Sequence, residues 1–96
     1  LQDVGVYVLI IERGRAVHCE FDIHADPENR QEIMQTKNLW LELSQRFIDE
    51  GAFFDRPYGA WADMVYSRAG TYTQKLKQIK KQFDPNNVLN PGRLCF

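Results

Sequence analysis

The chain has 96 residues, of which 44% are hydrophobic, 26% are charged and 12% are aromatic. This length supports a single hydrophobic core, and the composition is that of an ordinary soluble globular protein. The formal net charge of −1 gives no general attraction to nucleic acid or to an anionic membrane. The longest apolar run, from Val4 to Ile11, is far shorter than the roughly 20 residues that cross a bilayer.

The cysteines and the start of the sequence give two further expectations. Cys19 and Cys95 lie far apart and do not suggest a disulfide framework, so a reducing, cytoplasmic location is predicted. The sequence begins at Leu1 and enters a strand almost at once. We therefore expect it to be a piece of a longer protein.

Two strands joined by a tight turn are predicted first. Residues 3–11 are rich in β-branched and aromatic side chains, and both alternating faces are apolar, which predicts a strand covered on both faces. Residues 12–15 supply a turn in which Gly14 can adopt a positive φ. Residues 16–25 alternate between apolar and polar side chains. The pair is predicted to form an antiparallel hairpin.

A long helix is predicted to follow. Asp26 can cap it, Pro27 has the φ of a first helical turn, and Glu28 suits the positive end of the helix dipole. Apolar residues recur near helical spacing: Ile33, Trp40, Leu41, Leu43, Phe47 and Ile48. Gly51 is the predicted C-terminal stop.

Shorter elements complete the chain. Residues 52–54 are predicted to be a short strand or an extended piece, and residues 55–59 to be a loop because of Pro57. A short helix around residues 61–65, a connector and a final helix over residues 72–83 precede two proline turns. Strands followed by helices predict an α+β fold, with helices packed on one face of a small antiparallel sheet.

One candidate site is the polar face of the second strand. His18, Glu20, Asp22 and His24 alternate along it, about 6.6 Å apart. Imidazole and carboxylate groups can bind a transition metal, but this spacing is wide for a single ion. A solvated face is the simpler interpretation, and the alternative is that one or two of these residues, His18 first, face a substrate cavity.

A second candidate is the loop that contains Arg56. This arginine lies between an acid and a proline, among aromatic residues. Its planar guanidinium suits a carboxylate or phenolate oxygen better than a lysine would. The alternative is a surface pair between Arg56 and Asp55, with Tyr58 serving only in packing.

The end of the chain carries a more specific motif. A lysine-rich helix runs into the sequence Asp84-Pro85-Asn86-Asn87-Val88-Leu89-Asn90-Pro91-Gly92-Arg93. This ending closely resembles that of FAD-linked oxidases of the vanillyl-alcohol oxidase, 4-cresol dehydrogenase and glycolate oxidase type, in which the motif is Asp-Pro-x-x-x-x-Asn-Pro-Gly-Lys. Arg93 stands in the place of the lysine. The order of elements fits over essentially the whole chain, and about the last twenty residues match tightly.

The resemblance implies a ferredoxin-like cap-domain fragment. Residues 1–83 would be the end of a substrate (cap) domain, and residues 84–96 a tail that docks on an FAD-binding domain of the same full-length chain. That domain would bind most of the FAD, with Asn90 as a contact from the tail. Because a cut domain exposes apolar surface, a homodimer of the fragment is also expected.

The resemblance also allows two branches to be compared. In the phenol-oxidising branch, a Tyr-Arg-Thr segment binds the phenolate oxygen of the substrate. Arg56 matches that arginine, Asp55 and Pro57 replace its neighbours, and Tyr58 would supply a hydroxyl from a different position. The 2-hydroxy-acid branch has Glu-His-Gly in this segment, which residues 57–59 do not match. It also has an upstream strand whose histidines bind a metal, and residues 18–21 do not match that strand.

The resulting prediction is a flavin-dependent oxidoreductase whose isolated fragment is inactive. The full-length enzyme would transfer hydride from a small hydroxylated substrate, with an aromatic one favoured, to FAD, without a bound metal. Arg56 would stabilise a developing phenolate or a carboxylate, Tyr58 would orient it, and His18 would line the cavity or act as a base. The alternatives are a non-enzymatic α+β interaction module, a metal site on His18 and Glu20, and a 2-hydroxy-acid dehydrogenase.

Overall fold

The structure, a computed structural model, describes residues 4–96 and contains two strands and three α-helices. The elements are β1 (Val4–Ile11), a 3₁₀ turn (Glu12–Gly14), β2 (Ala16–Ile23), α1 (Arg30–Asp49), α2 (Ala60–Arg68) and α3 (Thr71–Phe83). The predicted α+β class is confirmed. The predicted start of the first strand at Asp3 lies outside the described residues. None of the helices within residues 4–96 is long and apolar enough to span a membrane.

The chain divides into two compact units, Leu1–Glu42 and Leu43–Phe96, and the division falls inside α1. The first unit contains the hairpin and the first part of α1. The second contains the end of α1, the two shorter helices and the C-terminal segment. This division does not coincide with the boundary expected after residue 83, between a cap domain and a docking tail. That boundary stays a prediction.

The hairpin forms as predicted, with an antiparallel register that runs from Val4 opposite Ile23 to Ile11 opposite Ala16. Gly14 adopts the expected positive φ of 85°, and Glu12 and Arg13 also lie in the left-handed region. The turn therefore needs the glycine at position 14, and it also places two residues that have a Cβ in a strained backbone conformation.

The prediction that the first strand is covered on both faces is wrong within this chain. Val6 and Ile10 on one face are 58% and 70% exposed, and Tyr7 and Leu9 on the other are 50% and 47% exposed. The apolar pattern of a strand indicates that it needs cover. It does not show that the same 96 residues provide that cover.

The long helix begins four residues later than Asp26, at Arg30. Asp26 instead caps a turn, in which its Oδ1 accepts the Glu28 N–H at 2.9 Å and its carbonyl accepts the Asn29 N–H at 3.1 Å. The helix cap is Asn29, whose Oδ1 accepts the Glu32 N–H at 3.2 Å. Aspartate and asparagine are both favoured caps, so the sequence signal was ambiguous between the two positions.

The predicted stop at Gly51 is confirmed. Gly51 has a φ of 90°, and its N–H donates to the Ile48 carbonyl at 3.1 Å. The Ala52 N–H donates to the Phe47 carbonyl at 2.8 Å, which completes a Schellman motif. Residues 52–54 then continue as coil, so the short-strand alternative for them is wrong.

The second unit is centred on Trp61. Its Nε1–H donates to the Ser44 Oγ at 2.6 Å, and Ser44 is only 4% exposed. The ring of Phe54 contacts Trp61 edge to face at 5.2 Å, and Ala62 is buried beside it in the sequence. One indole thus joins the end of α1, the following loop and the start of α2.

Two further contacts connect the helices of this unit. Arg68 forms an ion pair with Asp49 and donates to the Ile48 carbonyl at 3.3 Å, so the end of α2 is joined to the end of α1. The Thr73 hydroxyl donates to the Tyr66 carbonyl at 2.7 Å and joins α3 to α2. The Tyr66 carbonyl and the Ile48 carbonyl, which also accepts the Gly51 N–H, both lie in the last turn of their helices, where intrahelical donors are missing.

Replacement of Gly51 by alanine tests the helix stop. Because a residue with a Cβ disfavours the left-handed region, Gly51→Ala should lower the free energy of unfolding by about 1–2 kcal/mol. Urea denaturation of the chain measures this value. The control is Lys37→Ala at an exposed position of α1, which should change stability by less than about 0.5 kcal/mol. Equal stabilities of the two variants would contradict the assignment.

Candidate functional site

Arg56 lies in the loop between α1 and α2, and its side chain is 82% exposed. Its Nε is 3.6 Å from the Asp55 Oδ2, and the Asp55 side chain is 60% exposed. A pair this exposed and this long contributes little, because water screens both charges. The surface pair considered from the sequence is therefore present. It still leaves guanidinium donors that can bind another oxygen.

Aromatic contacts fix the loop on both sides of Arg56. Phe54 contacts Trp61 on one side, and on the other the Tyr58 ring meets Trp61 edge to face, with centroids 5.3 Å apart. Pro57 between them is buried, whereas Tyr58 is 65% exposed. The backbone around Arg56 is thus held by packing while the polar ends of Arg56 and Tyr58 remain accessible.

The loop and the C-terminal segment line one cavity of about 270 Å³. The lining residues are Pro57, Tyr58, Gly59, Ala62, Asp63, Gly92, Arg93 and Leu94. The structure therefore brings Tyr58 together with Arg93, while Arg56 and Asn90 are not among the lining residues. In the sequence, Arg93 stands out only as the residue in the place of the motif's lysine. Its position at the end of that motif was the available signal.

The C-terminal segment is held by a buried carboxylate. Asp84 is 5% exposed, and it accepts the Val88 N–H at 2.9 Å and the Leu89 N–H at 2.8 Å. It also forms an ion pair with Lys80, one turn earlier in α3. Three donors thus converge on one side chain at the point where α3 ends.

Lys80 has more than one role in this arrangement. Its side chain is 15% exposed, and besides pairing with Asp84 it donates to the Leu89 carbonyl. Its ammonium also lies 5.4 Å from the centre of the Phe96 ring, within cation–π range. We use the term tail clamp for Lys80, Asp84 and the backbone groups of Val88 and Leu89 that these two side chains contact.

The electrostatics of the tail clamp keep Asp84 ionised. The hydrogen bond from Lys80 lowers the pKa of Asp84, and the Leu89 and Val88 amides lower it further, against an opposing effect of burial. A carboxylate whose pKa is lower in the folded protein stabilises the fold above its unfolded pKa. This contribution is lost as the pH falls through the folded value.

The backbone of the C-terminal segment forms three turns, the last of which is closed by the Phe96 N–H and the Arg93 carbonyl at 3.0 Å. The Asn87 N–H donates to the Asp84 carbonyl at 3.1 Å, and the Arg93 N–H donates to the Asn90 carbonyl at 3.3 Å. Asn87, Asn90 and Leu94 all have a φ near 50°. Asparagine tolerates this conformation, so a turn-forming role accounts for Asn90. Its contact with a cofactor stays a prediction.

His18 belongs to the first unit, and Arg56 and Tyr58 belong to the second. The His18 Nε2 lies 2.9 Å from the Glu20 Oε1, and the two side chains are 31% and 53% exposed. His24 lines a separate cavity of about 80 Å³ with Glu32, Gln35 and Thr36. Within residues 4–96, no group of three or more histidine, cysteine, aspartate or glutamate side chains is placed to hold a metal ion.

Comparison with known proteins relates this chain to a region of the flavin-dependent oxidoreductases. Over 80 residues, or 82% of its length, the chain is 34% identical to the flavoprotein subunit of 4-cresol dehydrogenase (hydroxylating) from Pseudomonas putida. The matched region covers 15% of that relative. No family model and no solved structure matches the chain. The resemblance drawn from the terminal motif is thereby supported at the level of a flavoprotein-related region.

Asp84→Asn tests the tail clamp. The amide keeps the size of the side chain but removes the charge, so the hydrogen bonds from Val88 and Leu89 should weaken. We expect amide hydrogen exchange at both residues to accelerate by about tenfold or more at neutral pH. The control is Glu50→Gln at an exposed position, which should leave both rates unchanged. Unaltered exchange in Asp84→Asn would contradict the clamp.

Acidification provides a second test of the clamp. Because the pKa of Asp84 is lowered, the amide chemical shifts of Val88 and Leu89 should stay constant down to about pH 4, the usual range for aspartate. They should change only below it, as Asp84 takes up its proton. An NMR titration of the unmodified chain measures the midpoint. A midpoint at or above the usual aspartate value would show that Lys80 does not stabilise the carboxylate.

Proposed function

We propose that this chain is part of a longer flavin-dependent oxidoreductase, and that it lies at the C-terminal end of the substrate domain. The complete enzyme transfers hydride from a small hydroxylated substrate, with a phenolic one favoured, to FAD. The observation that carries the proposal is the 34% identity over 80 residues to a flavoprotein dehydrogenase of a cresol. The terminal motif and the exposed arginine loop are consistent with it.

Arg56 is proposed to bind an anionic oxygen of the substrate. Its guanidinium is 82% exposed and is paired with Asp55 only at 3.6 Å, so its remaining donors are accessible to a ligand. A planar fork of donors stabilises a phenolate or carboxylate as negative charge develops. Tyr58 lies two residues further on and is 65% exposed, and its hydroxyl would orient the same oxygen by a hydrogen bond.

His18 is proposed as a polar residue of the substrate cavity or as a base. Its contact with Glu20 at 2.9 Å supports this role, because a carboxylate on one ring nitrogen fixes the orientation of the imidazole. The opposite ring nitrogen would then be the group that accepts a proton.

FAD itself is proposed to bind mainly outside these residues. The cavity beside Tyr58 measures about 270 Å³, and pockets that enclose a drug-sized ligand typically measure about 300–1,000 Å³. This cavity is therefore too small to enclose a flavin dinucleotide. FAD would supply the redox chemistry from an FAD-binding domain of the same polypeptide, with residues 84–96 docked against it and Asn90 as a contact.

Substitution of Arg56 in the complete protein tests its role. Arg56→Ala should slow the reduction of the flavin by 4-cresol by about 10²–10³-fold, because a donor to the developing charge is lost. Arg56→Lys should recover part of the rate, since the charge remains without the fork. Stopped-flow absorbance measures the flavin reduction directly.

The matched control for this experiment is Arg30→Ala, which removes an exposed arginine at the start of α1. It should leave the rate unchanged. A normal rate in Arg56→Ala would overturn the role of Arg56. Complete protein that purifies without flavin would overturn the proposed function itself, and reduction by 2-hydroxy acids but not by phenols would favour the other branch.

A further inference from the structure

The cavity beside Tyr58 has two walls that come from different segments of the second unit. One wall consists of residues 57–59 and the first turn of α2, and the other consists of residues 92–94. All of these residues belong to the second unit. Because Arg56 is not among the lining residues, the proposed role of Arg56 leaves the chemistry of this cavity unexplained.

Two residues of opposite charge line the cavity, Asp63 on the α2 wall and Arg93 on the other. Within the described residues 4–96, neither side chain takes part in an ion pair or a hydrogen bond. Elsewhere in the same unit, Arg68 and Asp49 pair with each other. The carboxylate of Asp63 and the guanidinium of Arg93 are therefore both free to bind a ligand that enters the cavity.

The backbone of each wall is held in place. The Arg93 N–H donates to the Asn90 carbonyl at 3.3 Å, and the Arg93 carbonyl accepts the Phe96 N–H at 3.0 Å. On the other wall, Pro57 and Ala62 are buried. The backbone positions of the two charged residues are thus set before a ligand arrives, so binding has only their side chains to order.

The volume of the cavity limits the size of the ligand. About 270 Å³ is roughly nine times the 30 Å³ that a water molecule occupies in the liquid. This space suits a molecule with one six-membered ring and a short substituent. Tyr58 and Leu94, which are 65% and 47% exposed, give such a ring an aromatic and an aliphatic surface to pack against.

We propose that this cavity binds a single-ring molecule that carries both a carboxylate and a hydroxyl group. Arg93 donates to the carboxylate, whose shape matches the planar fork of a guanidinium, and Asp63 accepts from the hydroxyl. A carboxylate alone would be repelled by Asp63, and a hydroxyl alone would leave Arg93 without its anion. The two charges therefore select for both groups together. This site goes beyond the proposed function and does not require a flavin.

Three matched probes test the site in the complete protein by isothermal titration calorimetry. 4-Hydroxybenzoate carries both groups, benzoate carries only the carboxylate, and phenol carries only the hydroxyl. None of them has a carbon that can donate hydride, so binding is measured without turnover. We expect 4-hydroxybenzoate to bind at least about tenfold more tightly than either of the others, because a hydrogen bond to a charged group typically contributes that much.

Substitutions assign each group of the ligand to its partner. Arg93→Gln should weaken the binding of 4-hydroxybenzoate by about tenfold or more and leave that of phenol unchanged, and Arg93→Lys should lose less because the charge remains. Asp63→Asn should weaken the binding of 4-hydroxybenzoate but not of benzoate, since the amide no longer repels a carboxylate. The matched control is Arg46→Gln at an exposed position of α1, which should leave all three affinities unchanged.

The outcomes separate this inference from the proposed function. Equal affinities for the three probes, or unaltered binding of 4-hydroxybenzoate in Arg93→Gln, would overturn the site even if the protein carries flavin. Loss of binding in Arg56→Ala but not in Arg93→Gln would place the carboxylate at Arg56 and would likewise overturn it. Selective binding that depends on Arg93 in a protein without flavin would support the site and contradict the flavoenzyme.

Discussion

The path of the C-terminal segment, and with it one wall of the cavity beside Tyr58, depends on the buried carboxylate of Asp84. A charge that is only 5% exposed is tolerated because Lys80 and two backbone amides surround it, so its desolvation is offset by hydrogen bonds. The same contacts set the direction in which the chain leaves α3. Without them, Arg93 would have no fixed position relative to Tyr58, and the cavity that the two residues share would lose one wall.

In the loop that contains Arg56, some side chains pack against one another and others are exposed to solvent. Phe54, Pro57 and Trp61 restrain the backbone, and Arg56 and Tyr58 present their polar ends to solvent. Because packing already holds the backbone, only the exposed Arg56 and Tyr58 side chains would have to be ordered if a ligand bound there. The match of Arg56 to the substrate-binding arginine of the phenol-oxidising branch stays a prediction.

Local signals in the sequence predicted most of the elements, and long-range contacts account for what was missed. Gly51 marked the helix stop because its backbone conformation is encoded by one residue. The start of α1 was misplaced because Asp26 and Asn29 are equally good caps, and only the closed turn between them decides. Arg93 was overlooked because its approach to Tyr58 depends on how Asp84 folds the chain back, which no local pattern encodes.

The ion pair between Arg68 and Asp49 has a consequence for how such a segment can diversify. It joins the last residue of α1 to the last residue of α2. The loop and the helix between them therefore start and end at the same place in the structure. Insertions or substitutions near Arg56 would then change the shape of this loop-and-helix segment without moving its ends. Selection could alter ligand preference there while the surrounding scaffold stays constant, which is the arrangement that makes loops on rigid frames evolvable.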